Sequence, residues 1–420
     1  MIPSIEMIPG KYGVGTLLCP MPLDGSGDFN VSRSASNVAT RINAQGFIET
    51  VPDNVPRLDY LQPDGSIGCP ALLVEPSAQN VALRSAGLDV SGTWLRSNIS
   101  ATTGITSPEG LATAFEIVES SDVTAQTHEL AQAGFSVVSG TAYTFSLFIK
   151  AGTNNRNLRL AVGGTHFVGS PVAFFNPTSG TVVSSTDCTA SVENYGNGWF
   201  RCRITATADL TGSSFLGIYT ASGTSVSYIG NGSGSVQVWG AQAETGPIAT
   251  SYIPTTTTPI TRGADVISKT GVSSLIGQTE GTIYAEVDMR AFASSAARRI
   301  VNIRVDASNL LALEVSTAGT SVYFVATSGV SSVTATALGI TTGIYKIAVG
   351  YNSAASGTVL YVNGTLRDTR TIAIPNLSAA VFGLGVRGDG AAGTQFNDRI
   401  RAVAISSTRL TNAQLQELTS

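Results

Sequence analysis

Apolar and polar side chains alternate along most of the chain with a period of two, the pattern of half-buried strands. Tyr143, Phe145, Leu147 and Ile149 share one face, with Thr144, Ser146 and Lys150 on the other. Phe200, Cys202 and Ile204 alternate with Arg201, Arg203 and Thr205, and Ile283, Ala285, Val287 and Met289 alternate with Tyr284, Glu286 and Asp288. Residues 345–351 and 358–362 predict two further strands. The second runs into Asn363-Gly364, a pair that supplies the positive φ angles of a two-residue hairpin turn. Helical patterning is scarce. Ser107-Pro-Glu-Gly110 opens at most a short turn, whereas Thr411 predicts an N-cap for Asn412 to Leu418, with Leu415 and Leu418 on one side.

The expected class is all-β: an irregular N-terminal segment, two β-sandwich or jelly-roll domains and a short C-terminal helix. Residues 1–90 are rich in Pro, Asp and Asn and lack sustained alternation; residues 91–254 form one strand-rich block. A Thr-rich linker is expected over 255–276, and a second strand-rich block over 277–420. No fixed-period repeat is present, which argues against a β-helix or a propeller.

Composition narrows the partners. Charged residues are only 12% of the 420, with 28 acids against 24 bases and four lysines (Lys11, Lys150, Lys269, Lys346). Binding nucleic acid requires a dense basic patch, and none is visible. Mean hydropathy is +0.20, yet no apolar run approaches the roughly 20 residues of a membrane helix, so no membrane insertion is expected. Met1-Ile-Pro-Ser-Ile-Glu6 has no cationic stretch leading into an apolar one, which predicts folding in a cytosol. Four cysteines do not make a disulfide scaffold; Cys188 and Cys202 stand where they could pair across strands or remain buried thiols.

Complete catalytic sets are missing. A retaining glucanase needs two carboxylates about 5–5.5 Å apart, and Glu286-Val-Asp288 begins a suitable Glu-x-Asp-x-x-Glu pattern that Ala291 breaks. His128-Glu129-x-x-Gln132 lacks the second histidine of a zinc-protease helix, and the other histidine, His166, is 38 positions away. Gly383-x-Gly385-x-x-Gly388 fits dinucleotide spacing, but a turn and a strand follow it where a helix is required. Arg387-Gly-Asp389 is a bare tripeptide, and Asn-x-Ser/Thr triplets start at Asn30, Asn98, Asn231, Asn363 and Asn376. No resident cofactor is expected. Asp389 and Asp398 are the calcium candidates, as loop acids that could brace a jelly roll. Sugar sites on sandwiches stack rings on exposed aromatic side chains. Trp199 and Trp239 lie in strand-like text and are expected in the core, whereas Tyr195, Tyr219 and Tyr228, near Gly, Ser and Asn turns, are the carbohydrate-binding candidates.

Several stretches resemble a known family. These are Asp24-Gly-Ser-Gly-Asp-Phe29, Arg33-Ser-Ala-Ser36, Ala39-Thr-Arg-Ile-Asn43, Gly46-Phe-Ile-Glu49, Asn54-Val-Pro-Arg-Leu-Asp-Tyr60 and Gly68-Cys-Pro-Ala-Leu-Leu-Val-Glu-Pro76. Tyr143 to Gly152, Tyr195-Gly-Asn-Gly-Trp-Phe-Arg-Cys202, Trp239 to Gly246 and Ala249 to Pro254 continue the match. Together they are similar to tailed-bacteriophage virion proteins of the head-fibre, head-spike or tail-fibre type. Gly281 to Glu286, Val359 to Gly364 and Arg409 to Leu418 resemble the opening strand, hairpin and closing helix of a concanavalin/laminin-G-like jelly roll. The resemblance implies a non-enzymatic structural or decoration protein on the virion surface, assembled in the host cytoplasm and usually homotrimeric. Residues 1–90 would anchor it to other virion proteins, and the sandwiches, the first resembling a carbohydrate module, would adhere to host-surface polysaccharide. The alternative is a glycan depolymerase, a glycosidase using Glu286 and Asp288.

Overall fold

Glu280–Met289 anchors the C-terminal sandwich, pairing antiparallel with Gly343–Asn352 on one side and Asp398–Ser406 on the other. The structure, a computed structural model, describes residues 3–9, 29–34, 38–88, 92–290 and 297–420. Asp24 to Asp28, Ser36 and Ala291 lie outside the described residues.

The first sheet of this sandwich continues through Thr358–Val362 and Thr365–Arg370 in one direction and Ile67–Val74 and Arg57–Leu61 in the other. The outer side of Asp398–Ser406 is shared. Its start pairs with Leu72 to Val74, and its end pairs with the strand Ile5–Met7. The facing sheet runs Asn30–Ser32, Val266–Lys269, Val381–Leu384, Arg298–Arg304, Asn309–Val315, Ser321–Ser328 and Ser331–Leu338. Ile283, Ala285, Val287 and Met289 point between the sheets with Ile5, Met7, Leu58, Leu72 and Val74 in one core, as their alternation requires.

The middle sandwich is nested inside the other. Its first sheet runs Thr189–Asn194, Phe200–Thr207, Ala142–Ala151, Gly234–Thr245, Ala114–Glu119 and Ile99–Ile105. Its second runs Thr181–Thr186, Val172–Asn176, Asn157–Gly163, Gly212–Ala221, Glu129–Val137 and Leu95–Ser97. Tyr143, Phe145, Leu147, Ile149, Cys202 and Ile204 line its core as predicted. Where the chain enters and leaves this unit, Ala78–Asn80 pairs with Ile260–Arg262. Trp199 and Trp239 are buried, as expected.

Two sequence expectations need correction. The described part of residues 1–90 is not irregular: seven strands lie in it, and four of them complete the two sheets of the C-terminal sandwich. Five of the seven have only three or four residues, too few for alternation to register, and in the longest Pro70 sits at the irregularity opposite Asp59 and Leu61, where a missing N–H is tolerated. The stretch 255–276 is not a free linker either, since Ile260–Arg262 and Val266–Lys269 are both paired strands. The C-terminal helix Asn412–Thr419 forms as predicted. Thr411 and Gln414 make a reciprocal capping box, and Leu415 packs against Ala348, Val359 and Tyr361. Asn363 and Gly364 have φ of 46° and 73°, as the tight hairpin needs. Cys188 and Cys202 are free thiols, the second buried in the core.

Charge joins these parts. Arg57, fully buried, donates to Glu75 at 2.7 Å and to Asp265, and its Nη1 also donates to the Thr40 carbonyl. Arg33 reaches Asp265 at 2.9 Å, Arg262 lies 3.4 Å from Glu75, and the Ser251 hydroxyl and N–H both donate to Glu75. Burial alone would raise the carboxyls, but Arg57 and Arg262 hold Glu75 well below the usual carboxylate range and lower Asp265 as well.

Removing one partner of such a cluster leaves buried charge uncompensated. Glu75→Gln is therefore expected to lower unfolding free energy by about 3–5 kcal/mol. By contrast Arg41→Gln, which breaks the half-buried Arg41–Glu49 pair at the surface, should cost under ~1 kcal/mol, both read by urea denaturation. A chain starting at residue 91 loses Ile5, Met7, Leu58, Leu72 and Val74 from the core. It should show no cooperative transition for the C-terminal sandwich in calorimetry.

Candidate functional site

The outer face of the second middle sheet carries the most site-like arrangement. Along Gly212–Ala221, Leu216 and Ile218 point into the core, which turns Phe215, Gly217 and Tyr219 outward. Along Asn157–Gly163, Leu158, Leu160 and Val162 point inward, and Arg159, Ala161 and Gly163 outward. Register sets Arg159 opposite Tyr219, Ala161 opposite Gly217 and Gly163 opposite Phe215. On the other flank Glu129 is opposite Tyr219 and Ala131 opposite Gly217.

Small residues make this face a trough in which aromatic rings lie down on the sheet. A Cβ at Gly163 would come within 2.0 Å of the Phe215 ring, and one at Gly217 within 2.5 Å of the Tyr219 ring. The Arg159 guanidinium carbon sits 3.8 Å from the Tyr219 ring centroid, within cation–π range. The Tyr219 hydroxyl donates to Glu129, and burial together with that carboxylate pushes the phenol upward, so it stays a donor at neutral pH. Arg159 makes no ion pair among the described residues, and its buried Nε has no hydrogen-bond partner there. Arg159 and Phe215 line a cavity of about 190 Å³, bordered by Ser170, Pro171 and Val172. The arrangement offers fixed guanidinium donors and an apolar ring within one shallow depression.

The three tyrosines chosen from sequence do not serve as exposed stacking platforms. Tyr195, Tyr219 and Tyr228 are 8%, 5% and 9% exposed. Tyr195 meets Phe148 edge-on at 4.8 Å under the N-terminal hairpin. Tyr228 stacks on His128 at 4.3 Å and shares a hydrogen bond with Thr220. Only Tyr219 joins the trough, as the support beneath Arg159. Proximity to turns places a backbone at the surface and says nothing of where the ring lies. Arg159 was missed; its one sequence signal is an outward charge in the alternating run Leu158-Arg-Leu-Ala-Val162.

The other candidates are engaged elsewhere. Glu286 accepts from Arg401 at 2.9 Å, and Asp288 is buried against Arg290 at 2.6 Å. Asp389 accepts from Arg387 at 2.6 Å, whereas Asp398 is buried beside Arg399 and accepts from the Arg290 N–H. Guanidinium neighbours repel a cation, which corrects the calcium reading of both. No group of three or more His, Cys, Asp or Glu able to hold a metal occurs among the described residues. His128 precedes a strand, not a helix, and pairs with Asp122 at 2.7 Å.

The seam between the sandwiches is charged. Glu193 of the middle unit meets Arg290 of the C-terminal one at 3.0 Å, and behind it, within the C-terminal sheet, Asp59 holds Arg399 at 3.0 Å. Burial would raise Glu193, but Arg290, Arg399 and Arg203 hold it at about 2. Asp398 goes the opposite way: burial, helped by Asp288, pushes it up to about 7 against the pull of Arg399 and Arg290.

No family model and no curated protein matches the chain. Among solved structures, the CBM40 of an IT-sialidase from Ruminococcus gnavus is 16% identical over 36% of this chain and 88% of that one, with a TM-score of 0.31. It has also been solved bound to α2,3- and α2,6-sialyllactose. Domain 4 of a GH43 extracellular arabinanase from Geobacillus stearothermophilus, in complex with arabinotriose, is 17% identical over 37% of this chain and 73% of that one, with a TM-score of 0.31. Likenesses of this depth carry no ligand and no activity over to this chain.

Because Asp398 takes up its proton more readily folded than unfolded, its contribution is full below the unfolded value near 4 and is lost as pH rises through about 7. Asp398→Asn mimics the protonated form. It should raise Tm at pH 8 and change it little at pH 4, measured by thermal denaturation across pH.

Proposed function

We propose that the chain is a structural protein of a tailed-phage virion, a fibre, spike or decoration protein, whose middle sandwich holds host-surface glycans on its outer sheet face. The observation that carries the glycan half is the Arg159 guanidinium, laid on Tyr219, without a carboxylate partner among the described residues, and lining a depression beside Phe215. Sugars present hydroxyl pairs that accept from a planar guanidinium and C–H faces that rest on aromatic rings. The phage half is supported by the resemblance over residues 24 to 254, in the stretches quoted above. Arg33, Arg57 and Glu75 of the buried ion cluster lie within those stretches. Anchoring would then fall to a surface of the joined sandwiches, because most of the described part of residues 1–90 is built into them. Homotrimer formation belongs to the same proposal.

A glycan array with the intact protein tests the site. Arg159→Ala should abolish hits or weaken them at least about tenfold, as loss of a charged hydrogen-bond donor does, with Tm unchanged within a few degrees. Binding that survives Arg159→Ala, or an array without hits, would sink the glycan half. Shortened oligosaccharides on incubation with host polysaccharide, absent in Glu286→Gln, would establish the depolymerase instead. Detecting the chain in purified particles by mass spectrometry tests the virion half, and light scattering the trimer.

A further inference from the structure

We infer a second ligand site on the opposite sheet of the middle sandwich, where the Lys150 ammonium and an aromatic pocket take a saccharide ring bearing a carboxylate. It extends the glycan-binding proposal to a new place and fails separately from it.

Three loops build the pocket. Gly46 and Phe47 come from the turn between Ala39–Ile42 and Ile48–Val51, Ser107 and Pro108 from the turn before Ala114–Glu119, and Tyr195 to Trp199 from the hairpin between Thr189–Asn194 and Phe200–Thr207. The Ile48 N–H donates to the Pro108 carbonyl at 2.9 Å, and the Phe47 ring lies over Gly110, fastening the first loop to the second. The third loop is pinned by the Tyr195 N–H to the Trp199 carbonyl at 2.9 Å. Its Gly196, Asn197 and Gly198 all have positive φ, of 75°, 53° and 78°. The enclosed volume is about 230 Å³, below the roughly 300–1,000 Å³ of sites for drug-sized ligands, which limits the buried part to a single ring.

Lys150 is the cation of this pocket. Its stem crosses Gly198, where a Cβ would stand 3.2 Å from Cε, and its Nζ lies 6.0 Å from the Trp199 ring centroid. It forms no ion pair among the described residues, and no acid lines the pocket. The acid next in sequence, Glu109, is hydrogen-bonded by Thr113, and burial shifts it toward its neutral form. An ammonium whose stem is packed loses little freedom on binding an anion, and a charge-assisted hydrogen bond is about twice as strong as a neutral one. Phe47 supplies an apolar wall for a ring's C–H face, and the Asn197 amide a partner for hydroxyls. An anion without a ring would leave those features unused. At the Arg159 depression Glu129 holds the Tyr219 ring that carries the cation, so the two sites should rank neutral and acidic sugars differently.

Ligand-observed NMR titrations of the full chain with methyl β-D-glucuronide and methyl β-D-glucoside isolate the carboxylate. The glucuronide should bind about tenfold tighter. That gap should close in Lys150→Met, which keeps the stem over Gly198, and persist in Arg159→Ala. Equal affinities in the wild type, or a gap that survives Lys150→Met, would overturn the inference while leaving glycan binding in place. Binding of neither sugar would overturn the inference, while the array with Arg159→Ala decides the first site. Inorganic phosphate that displaces the glucuronide at equal concentration would overturn the saccharide part of the assignment.

Discussion

The architecture depends on one buried cluster of five ionised side chains. Arg57 is shared between Glu75 and Asp265, Arg33 and Arg262 close the group, and Ser251 brings in the end of the middle sandwich. Charges removed from water cost several kcal/mol each unless geometry is close and the remaining donors and acceptors are satisfied. That requirement is what gives the cluster its organising effect. Arg57 is in place only if the strand Arg57–Leu61, the Thr40 carbonyl and the segment 262–265 are all where they are found. A core of Ile, Val and Leu tolerates exchange of its members, whereas a set of fixed charges accepts one arrangement.

The candidate sites inherit this rigidity unequally. The Arg159 trough is made by two strands and two missing side chains, so its geometry follows from sheet register alone. The Lys150 pocket needs the hairpin Ala39–Ile42/Ile48–Val51, which the Thr40 carbonyl ties to Arg57. Its wall is therefore set by the same ions that join the sandwiches. Between the units, Glu193–Arg290 adds a second tier of charge, backed by Asp59–Arg399 within the C-terminal sheet.

Local features were legible in the sequence and distant ones were not. The strands at 143–149, 200–204, 283–289, 345–351 and 358–362, the Asn363-Gly364 turn and the capped helix at Thr411 each depend on neighbours within a few residues. Ile5–Met7 shows nothing of its strand because its partner is residues 403–405. Arg57, Glu75 and Asp265 read as scattered charges because the cluster spans 232 positions from Arg33 to Asp265. Tyr195 reads as exposed because the hairpin that covers it is more than a hundred residues away in sequence. Gly163 and Gly217 likewise have meaning only across the register that faces them with Phe215 and Ala161.

The nested order of the two sandwiches has a consequence for synthesis. The middle unit is contiguous and complete once residue 245 has emerged, whereas Ile5–Met7 has no partner until residues 403–405 are made. At roughly 5–20 residues per second, that wait lasts on the order of 20–80 s. During it the ribosome carries a finished inner sandwich flanked by unpaired apolar strands. The last strand made, Asp398–Ser406, is then the one that gives Ile5–Met7, Ile67–Val74 and Glu280–Met289 a common neighbour.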